Sequence, residues 1–234
     1  MKFENTVVFN FEGALRGMRN PMNSWDKSDS CDEYEEHIGY SIRKYVIGKN
    51  DLALAQALIR GGSEHRKFMR QIFVSVDITA PLYWWKEFDT YKVGTVANST
   101  STMHKLASTP ITMDCFEMDD FEALPCNLEE LEVIPYCTEA WSYLLKYLEY
   151  LRNIYNETKD IRYWKELIRL LPESWLQKRT VTMDYENLLA ICSKGQRRFH
   201  KLTEWNKSFI GWARTLPYAQ ELIFLDELED KKNG

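Results

Sequence analysis

Residues Ile72 to Lys92 read IFVSVDITAPLYWWKEFDTYK, and this stretch carries the strongest signals for the fold. Its first seven residues alternate apolar, mostly β-branched side chains with others, which is typical of a strand with one buried face. Pro81 suits the first turn of a helix, where the N–H that proline lacks has no helical partner. Trp84, Phe88 and Tyr91 then share one face of that helix. The stretch therefore predicts a strand that leads directly into an aromatic helix.

A polar loop follows this helix, for which Gly94 is a suitable end. From Asn98 to His104 the chain reads NSTSTMH, which is crowded with hydroxyl groups and also offers an amide and an imidazole. Short hydrogen-bonding side chains are poor core material, and they suit a polar, planar ligand such as a nucleotide or a flavin. The alternative interpretation is that they only cap and turn the chain.

Helical patterns dominate the rest of the chain. Asp51 to Arg60 predicts a short helix that Asp51 caps and that Gly61 and Gly62 end. Apolar residues recur at helical spacing in four later segments, which begin at Trp141, Ile161, Leu188 and Trp205. A few early strands followed mostly by helices predict an α+β fold with a helix-rich C-terminal half, and we expect a single domain over residues 1–234.

The composition argues against several classes of protein. A net charge of -5 disfavours a general nucleic-acid coat. No apolar run approaches the roughly 18 residues of a membrane span, and Met1–Asn5 is too polar to open a signal peptide. Five cysteines without a secretory signal predict reduced thiols and a cytoplasmic location. Cys115, Cys126 and Cys137 are too widely spaced for a typical zinc site, so no metal is predicted.

An acidic segment lies at about residues 106–137. Between Lys105 and Lys146 there is no lysine or arginine, while aspartates, glutamates and three prolines accumulate. We interpret the segment as a surface excursion. The alternative is an electrostatic contact with a basic partner or subunit.

The remaining candidates for chemistry are histidines and cations, because the chain lacks a phosphate-binding glycine loop, a G-x-S-x-G elbow and a motif-borne cysteine. His65 and His104 flank the strand–helix unit, and His37 is predicted to face solvent. Arg214 precedes a turn and could meet a carbonyl or phosphate with its rigid fork, or could simply balance a helix dipole. A basic cluster could hold a phosphate or, with Trp205, a nucleic acid; its members are Lys194, Arg197, Arg198, His200 and Lys201.

The order of these features resembles the flavin-dependent thymidylate synthases over about residues 60–225. The matching features are, in chain order, His65, the strand 72–78, Ala80-Pro81, the aromatic helix, Asn98-Ser99-Thr100-Ser101, Leu171-Pro172 and Arg214-Thr215-Leu216-Pro217-Tyr218-Ala219-Gln220-Glu221. The chain is also similar to a divergent branch carried by phages and Gram-positive bacteria. It departs from the family where R-H-R is expected, since Thr90-Tyr91-Lys92 falls there, and where Tyr218 replaces the histidine of H-A-Q.

The resemblance implies a mixed or antiparallel sheet flanked by helices, and a homotetramer with active sites between subunits. It implies FAD as hydride carrier, dUMP as the substrate that is methylated at C5, and methylene-tetrahydrofolate and NADPH as co-substrates. Arg214 would be catalytic and would polarise the uracil. By the same resemblance, the flavin residues would be His65, Tyr91, Lys92 and Asn98, and the substrate residues would be Lys86, Ser99, Ser101, His104, Arg214 and Gln220.

Two other interpretations of the sequence stay open. The loss of R-H-R is typical of a degenerate homologue that keeps the fold as a nucleotide-binding or interaction module without synthase activity. The basic cluster could instead bind RNA or DNA, although the net charge and the shortness of the cluster make nucleic acid a weaker prediction.

Overall fold

The structure is a computed structural model that describes residues 1–91, 93–119 and 137–228, with the backbone alone at residues 103, 104, 137 and 138. Lys92 and most of the predicted acidic excursion, with Cys126, lie outside the described residues. The strands are β1 (Lys2–Phe9), β2 (Cys31–His37), β3 (Tyr40–Val46), β4 (Phe73–Pro81), β5 (Val96–Ser99) and β6 (Leu176–Asp184). The α-helices are α1 (Phe11–Arg19), α2 (Lys49–Arg60), α3 (Leu82–Phe88), α4 (Thr102–Lys105), α5 (Cys137–Thr158), α6 (Ile161–Arg169), α7 (Tyr185–Cys192), α8 (Lys194–Arg197), α9 (Ile210–Ala213) and α10 (Ala219–Leu222).

The main sheet has four strands in the order β1-β4-β6-β5. Helices flank this antiparallel sheet, so the predicted α+β class is confirmed. A separate two-stranded hairpin pairs β2 with β3 in antiparallel register, and its turn contains Gly39 at φ 89°. Within the described residues, no helix combines the length and the hydropathy needed to cross a bilayer.

The strand and helix predicted from Ile72 onward are confirmed. Burial alternates along β4, where Val74, Val76 and Ile78 are buried and their neighbours are partly exposed. Pro81 lies immediately before α3, and Trp84 and Phe88 are buried on the aromatic helix. The α-helix ends at Phe88 and a 3-10 turn over Asp89–Tyr91 follows, so Tyr91 lies beyond the α-helical part.

The predicted role of Asp51 is wrong. Gly48 occupies the cap position of α2, while Asp51 lies in the first turn and is buried. Its carboxylate accepts hydrogen bonds from Arg19 Nε at 2.5 Å, Ser28 Oγ at 2.6 Å and Ser30 Oγ at 2.5 Å. Burial opposes ionisation, but these donors together hold the pKa of Asp51 below its ordinary value. A buried ion pair has replaced the expected helix cap.

The described chain consists of two compact units, within each of which the residues lie close together. Residues 1–2, 78–90 and 98–179 form the first unit, and residues 3–77, 91–97 and 180 onward form the second. The expectation of a single domain therefore stays a prediction.

The core of the first unit forms around α5 and α6. Leu148 and Leu151 on α5 are buried there, as the first helical stripe predicts. On α6 the buried residue is Leu167, which the predicted stripe of that segment did not include. Ile161, the first residue of the second predicted stripe, is instead 59% exposed. Leu106, Ile111 and Phe116 also belong to this core, so the start of the predicted acidic excursion packs inward.

The second unit packs helices around buried aromatic residues. Trp205 and Phe209 are fully buried, as their spacing predicts. The helix that carries them is irregular, because residues Glu204–Phe209 form a π-helix that continues into α9. Such π turns are short and frequently mark functional segments.

His37, at the end of β2, is exposed as predicted.

Candidate functional site

Arg214 lies directly after α9 and is held by two groups. Its Nη1 and Nη2 donate to the two carboxylate oxygens of Glu227, at 2.9 and 2.7 Å. Its guanidinium also stacks over the Phe224 ring, 4.1 Å from the ring centre. A two-point fork on a carboxylate fixes both the direction and the plane of an arginine. Arg214 is thus oriented while 37% of its side chain stays exposed.

Arg197, the last residue of α8, meets the same carboxylate. Its Nη1 donates to Glu227 Oε1, and its Nη2 lies 3.8 Å from Asp226 Oδ2. Hydrogen bonds from Arg214 lower the pKa of Glu227 most strongly, and those from Arg197 add to them against the opposing effect of burial. Glu227 therefore stays ionised and holds two guanidinium groups side by side.

A cavity of about 430 Å³ opens beside these arginines. Its lining residues are Lys194, Arg197, Asn206, Ile210, Arg214 and Glu227. Three of the six are cations and one is a carboxylate, so the lining is positive although the whole chain carries -5. Arg197 Nε and Asp226 Oδ1 are buried without a hydrogen-bond partner among the described residues. Such a cavity suits an anion such as a phosphate or a polarised carbonyl.

The sequence predicted Arg214 and the basic cluster as separate features, and the structure brings part of the cluster to Arg214. Lys194 and Arg197 line the Arg214 cavity. Arg198 instead lies over the exposed Phe199 ring at 4.6 Å. His200 is only 2% exposed and stacks on Trp205 at 4.4 Å, so the prediction that it holds an external phosphate is wrong. Burial takes His200 out of the basic cluster, and nucleic-acid binding by its exposed members Lys194, Arg198 and Lys201 stays an untested prediction.

The residues in place of R-H-R are engaged within the fold. Thr90 Oγ1 donates to the Glu87 carbonyl at 2.7 Å. Tyr91 accepts a hydrogen bond on its hydroxyl from Gln196 Nε2 at 2.7 Å, and its ring packs edge-on against Trp205. The prediction that Tyr91 contacts a flavin stays open, while Lys92 lies outside the described residues.

His65 lies between α2 and β4, as predicted. Its ring packs against Gly61, where an added Cβ would come within 3.1 Å of the imidazole. It lines a cavity of about 500 Å³ whose other walls are largely apolar. The apolar members are Met18, Pro21, Met22, Leu54, Leu58 and Phe68. Such walls suit the flat face of a ring.

The polar loop belongs to the first unit. Asn98 and Ser99 are exposed at the end of β5, and Ser101 is half-buried just before α4. Two hydrogen bonds hold the loop backbone at Thr100. Thr100 N donates to the Lys178 carbonyl at 2.9 Å, and the Thr100 carbonyl accepts from Gln177 Nε2 at 2.9 Å. The loop can therefore present its side chains from a fixed backbone. The predicted His104 side chain lies outside the described part of the chain.

Two further predicted residues use their polar groups internally. Lys86 forms an exposed ion pair with Glu173 at 2.6 Å. Gln220 donates from its amide to the Phe224 carbonyl at 3.2 Å. An exposed pair of this kind costs little to open, so Lys86 is still available to an anion, whereas Gln220 would have to turn.

Sequence reasoning missed Glu227 and Asn206, which line the Arg214 cavity, and Phe224, whose ring lies against the Arg214 guanidinium. No motif marks them, because each depends on a fold contact with a residue elsewhere in the chain. In the described parts of the chain no group of histidine, cysteine or acidic residues is arranged to hold a metal ion.

The sequence matches no protein-family model and no curated protein. The structure, in contrast, is similar to flavin-dependent thymidylate synthase ThyX from Helicobacter pylori, solved with FAD and dUMP. The fold is that of ThyX. For one such structure the identity is 17% and the TM-score 0.62, with 97% of this chain and 99% of that chain covered. For a second, also with FAD and dUMP, the identity is 14% and the TM-score 0.61, with 97% and 98% covered.

Proposed function

We propose that this chain is a flavin-dependent pyrimidine-nucleotide C5 transferase that resembles thymidylate synthase and converts dUMP to dTMP with methylene-tetrahydrofolate. The observation that carries the proposal is the likeness of fold over nearly the full length of both chains to an enzyme solved with FAD and dUMP. A fold by itself hosts many functions, so the chemistry rests on the residues of the site.

The Arg214 cavity supplies the electrostatics that a pyrimidine nucleotide needs. Arg214 would donate its fork to the uracil or to negative charge that develops on it, and Arg197 and Lys194 would balance a phosphate. Fixed donors stabilise developing charge because no reorganisation is needed during the reaction. Glu227 holds the fork in place, and an incoming anion would share or replace its hydrogen bonds.

The residues present fit FAD in part. The apolar cavity beside His65, which lies wholly in the second unit, suits a planar ring. Thr90 and Tyr91 carry no charge for a pyrophosphate and are bonded within the fold. When bound, FAD would supply the hydride transfer, while the protein would position the rings and exclude water.

The engagement of Thr90 and Tyr91 favours a second candidate function. In this alternative the chain is a degenerate homologue that keeps the ThyX fold, binds a nucleotide at the Arg214 cavity and lacks synthase activity. The two candidates differ in whether flavin is held and turned over.

Absorbance of the purified full chain in the flavin region, before and after addition of FAD, separates the candidates. Synthase function predicts a bound flavin spectrum and release of tritium from C5 of labelled dUMP when methylene-tetrahydrofolate and NADPH are present. Tritium release that disappears in Arg214→Gln would support the catalytic role of Arg214. dUMP binding with neither flavin nor tritium release would instead establish the degenerate homologue.

We also propose an oligomeric state, a cellular location and a family branch for this chain. The family resemblance supports a homotetramer with sites between subunits, a cytoplasmic location and a place in the phage and Gram-positive branch. Light scattering on the purified chain tests the assembly, since a monomer at micromolar concentration would contradict shared sites.

A further inference from the structure

A third cavity, of about 500 Å³, lies in the second unit. It is bounded by the end of β1, the start of α1, the β3 strand of the hairpin and the Pro217-Tyr218 turn. None of the residues that the proposed function uses line it. Its volume falls in the range of about 300–1,000 Å³ that holds small organic ligands, and is large for a bare ion.

The cationic side chains of this cavity outnumber its carboxylates. Arg16, Arg43 and Lys44 line it, against Glu12. Arg43 is already neutralised, because it donates to Glu12 at 2.7 Å and to Asp32 at 2.8 Å. The pair with Glu12 ties the hairpin to α1, and the pair with Asp32 links β3 to β2 within the hairpin.

The other two cationic side chains that line the cavity, Arg16 and Lys44, are available to bind an anion. Both are exposed. Glu33 is the cross-strand neighbour of Lys44 by register, yet among the described residues no carboxylate forms an ion pair with Lys44 or with Arg16. Two unpaired cations at the rim of one cavity, on a chain of net charge -5, are a local attraction for phosphate.

Aromatic side chains form the remaining walls. Tyr218 is fixed by its hydroxyl, which accepts from Ile47 N at 2.9 Å, and by an edge-on contact with Phe11 at 5.6 Å. Phe9 is 45% exposed and stacks on Phe73, and Tyr45 is half-buried. Rigid aromatic rings provide stacking faces for any planar base at little cost in side-chain entropy.

Backbone geometry at the cavity is unusual at two points. Asn10 has φ 72° and Tyr218 has φ 54°, in the left-handed region that non-glycine residues rarely adopt. Such conformations persist where the surrounding structure enforces them, and they are enriched at ligand sites. The left-handed conformations of Asn10 and Tyr218 are consistent with a ligand site, which the cationic side chains and aromatic walls of the cavity indicate more directly.

We propose that this cavity binds a phosphorylated planar ring of the nucleoside monophosphate class, at a site separate from the Arg214 cavity. Arg16 and Lys44 neutralise the phosphate, and the ring lies against Tyr218, Tyr45 or Phe9. Because base stacking tolerates different rings, purine and pyrimidine monophosphates both bind.

The test uses the full chain with UMP, AMP and inorganic phosphate as separate probes. Hydrogen exchange followed by mass spectrometry locates the protected amides, and calorimetry measures affinity. We expect both nucleotides to protect residues 8–16 and 43–45. We expect the double variant Arg16→Gln/Lys44→Gln to lose about tenfold in affinity for both. Both side chains are exposed, so the fold is retained, and a thermal melt confirms it.

Two control variants separate binding at this cavity from a general charge effect and from binding at the Arg214 cavity. Arg198→Gln/Lys201→Gln removes the same charge elsewhere and keeps the affinity. Arg214→Gln removes binding at the Arg214 cavity but keeps the protection at residues 8–16, whether or not the proposed synthase function is correct. Protection confined to residues 194–214, an unchanged affinity in the Arg16/Lys44 variant, or inorganic phosphate binding as tightly as UMP would each overturn the proposal.

Discussion

Arg214 and Glu227 form a two-point ion pair, with 2.7 and 2.9 Å between their nitrogen and oxygen atoms. The same carboxylate also accepts from Arg197. Glu227 is thus central to the positive cavity, because it orients both arginines and at the same time competes with any anion for them.

Glu227→Gln should separate these two effects. Losing the charge-assisted hydrogen bonds should destabilise the fold by about 1–3 kcal/mol in urea unfolding. The affinity for dUMP, measured by calorimetry, should rise because the competing negative charge is gone. Glu166→Gln is the matched control, since Glu166 pairs with Arg169 at 3.1 Å on the surface and should contribute less than about 1 kcal/mol. A fall in dUMP affinity in Glu227→Gln would show that orientation outweighs competition.

Asp51→Asn should be among the most destabilising polar substitutions in the second unit. Arg19 and Asp51 have side chains only 5% and 0% exposed, so the substitution leaves a buried guanidinium without its counter-charge. We expect a loss of about 3–5 kcal/mol, measured by chemical unfolding. Asp160→Asn, at an exposed partner Arg162, is the control and should cost far less. Equal losses in the two variants would mean that burial of the Arg19 pair adds nothing.

The Asp51 contribution should depend on pH in a defined direction. The pKa of Asp51 is lowered in the folded protein, so its stabilisation is fully present above the ordinary carboxyl value of 3.8. It is lost as the pH falls through the lower folded value. The difference in unfolding free energy between wild type and Asp51→Asn should therefore be constant near neutral pH and shrink in acid. A difference that grows on acidification would contradict the assignment.

Cys192 should be chemically inert in the native protein. Burial raises the pKa of its thiol to about 12, and its side chain is fully buried. Because the thiolate is the reactive form, a maleimide should label exposed Cys31 quickly and leave Cys192 unlabelled until urea is added. Peptide mapping by mass spectrometry reads the result. Rapid labelling of Cys192 in buffer would contradict its burial and reopen a role for this cysteine in catalysis.

Local signals predicted the elements that carry a regularly repeating buried face. The alternation in β4 and the helical stripe of α5 each extend over several residues. Each pattern therefore indicates which face of the element is buried, whatever segment packs against it. The β2–β3 hairpin was not predicted, because it lacks a regularly repeating buried face. Tyr34 and Tyr40 lie among charged residues with both faces exposed, so no apolar period marks these strands.

The sequence by itself determined the α+β class and the strand that leads into the aromatic helix, and it identified Arg214 as a candidate site residue. Only the tertiary structure decided what Arg214 contacts, because Glu227 is thirteen residues away and Arg197 reaches the same carboxylate across thirty. It also turned Asp51 from a helix cap into the partner of Arg19. Periodicity and caps depend on neighbouring residues, whereas charge pairing in a cavity depends on which distant segments the core brings together.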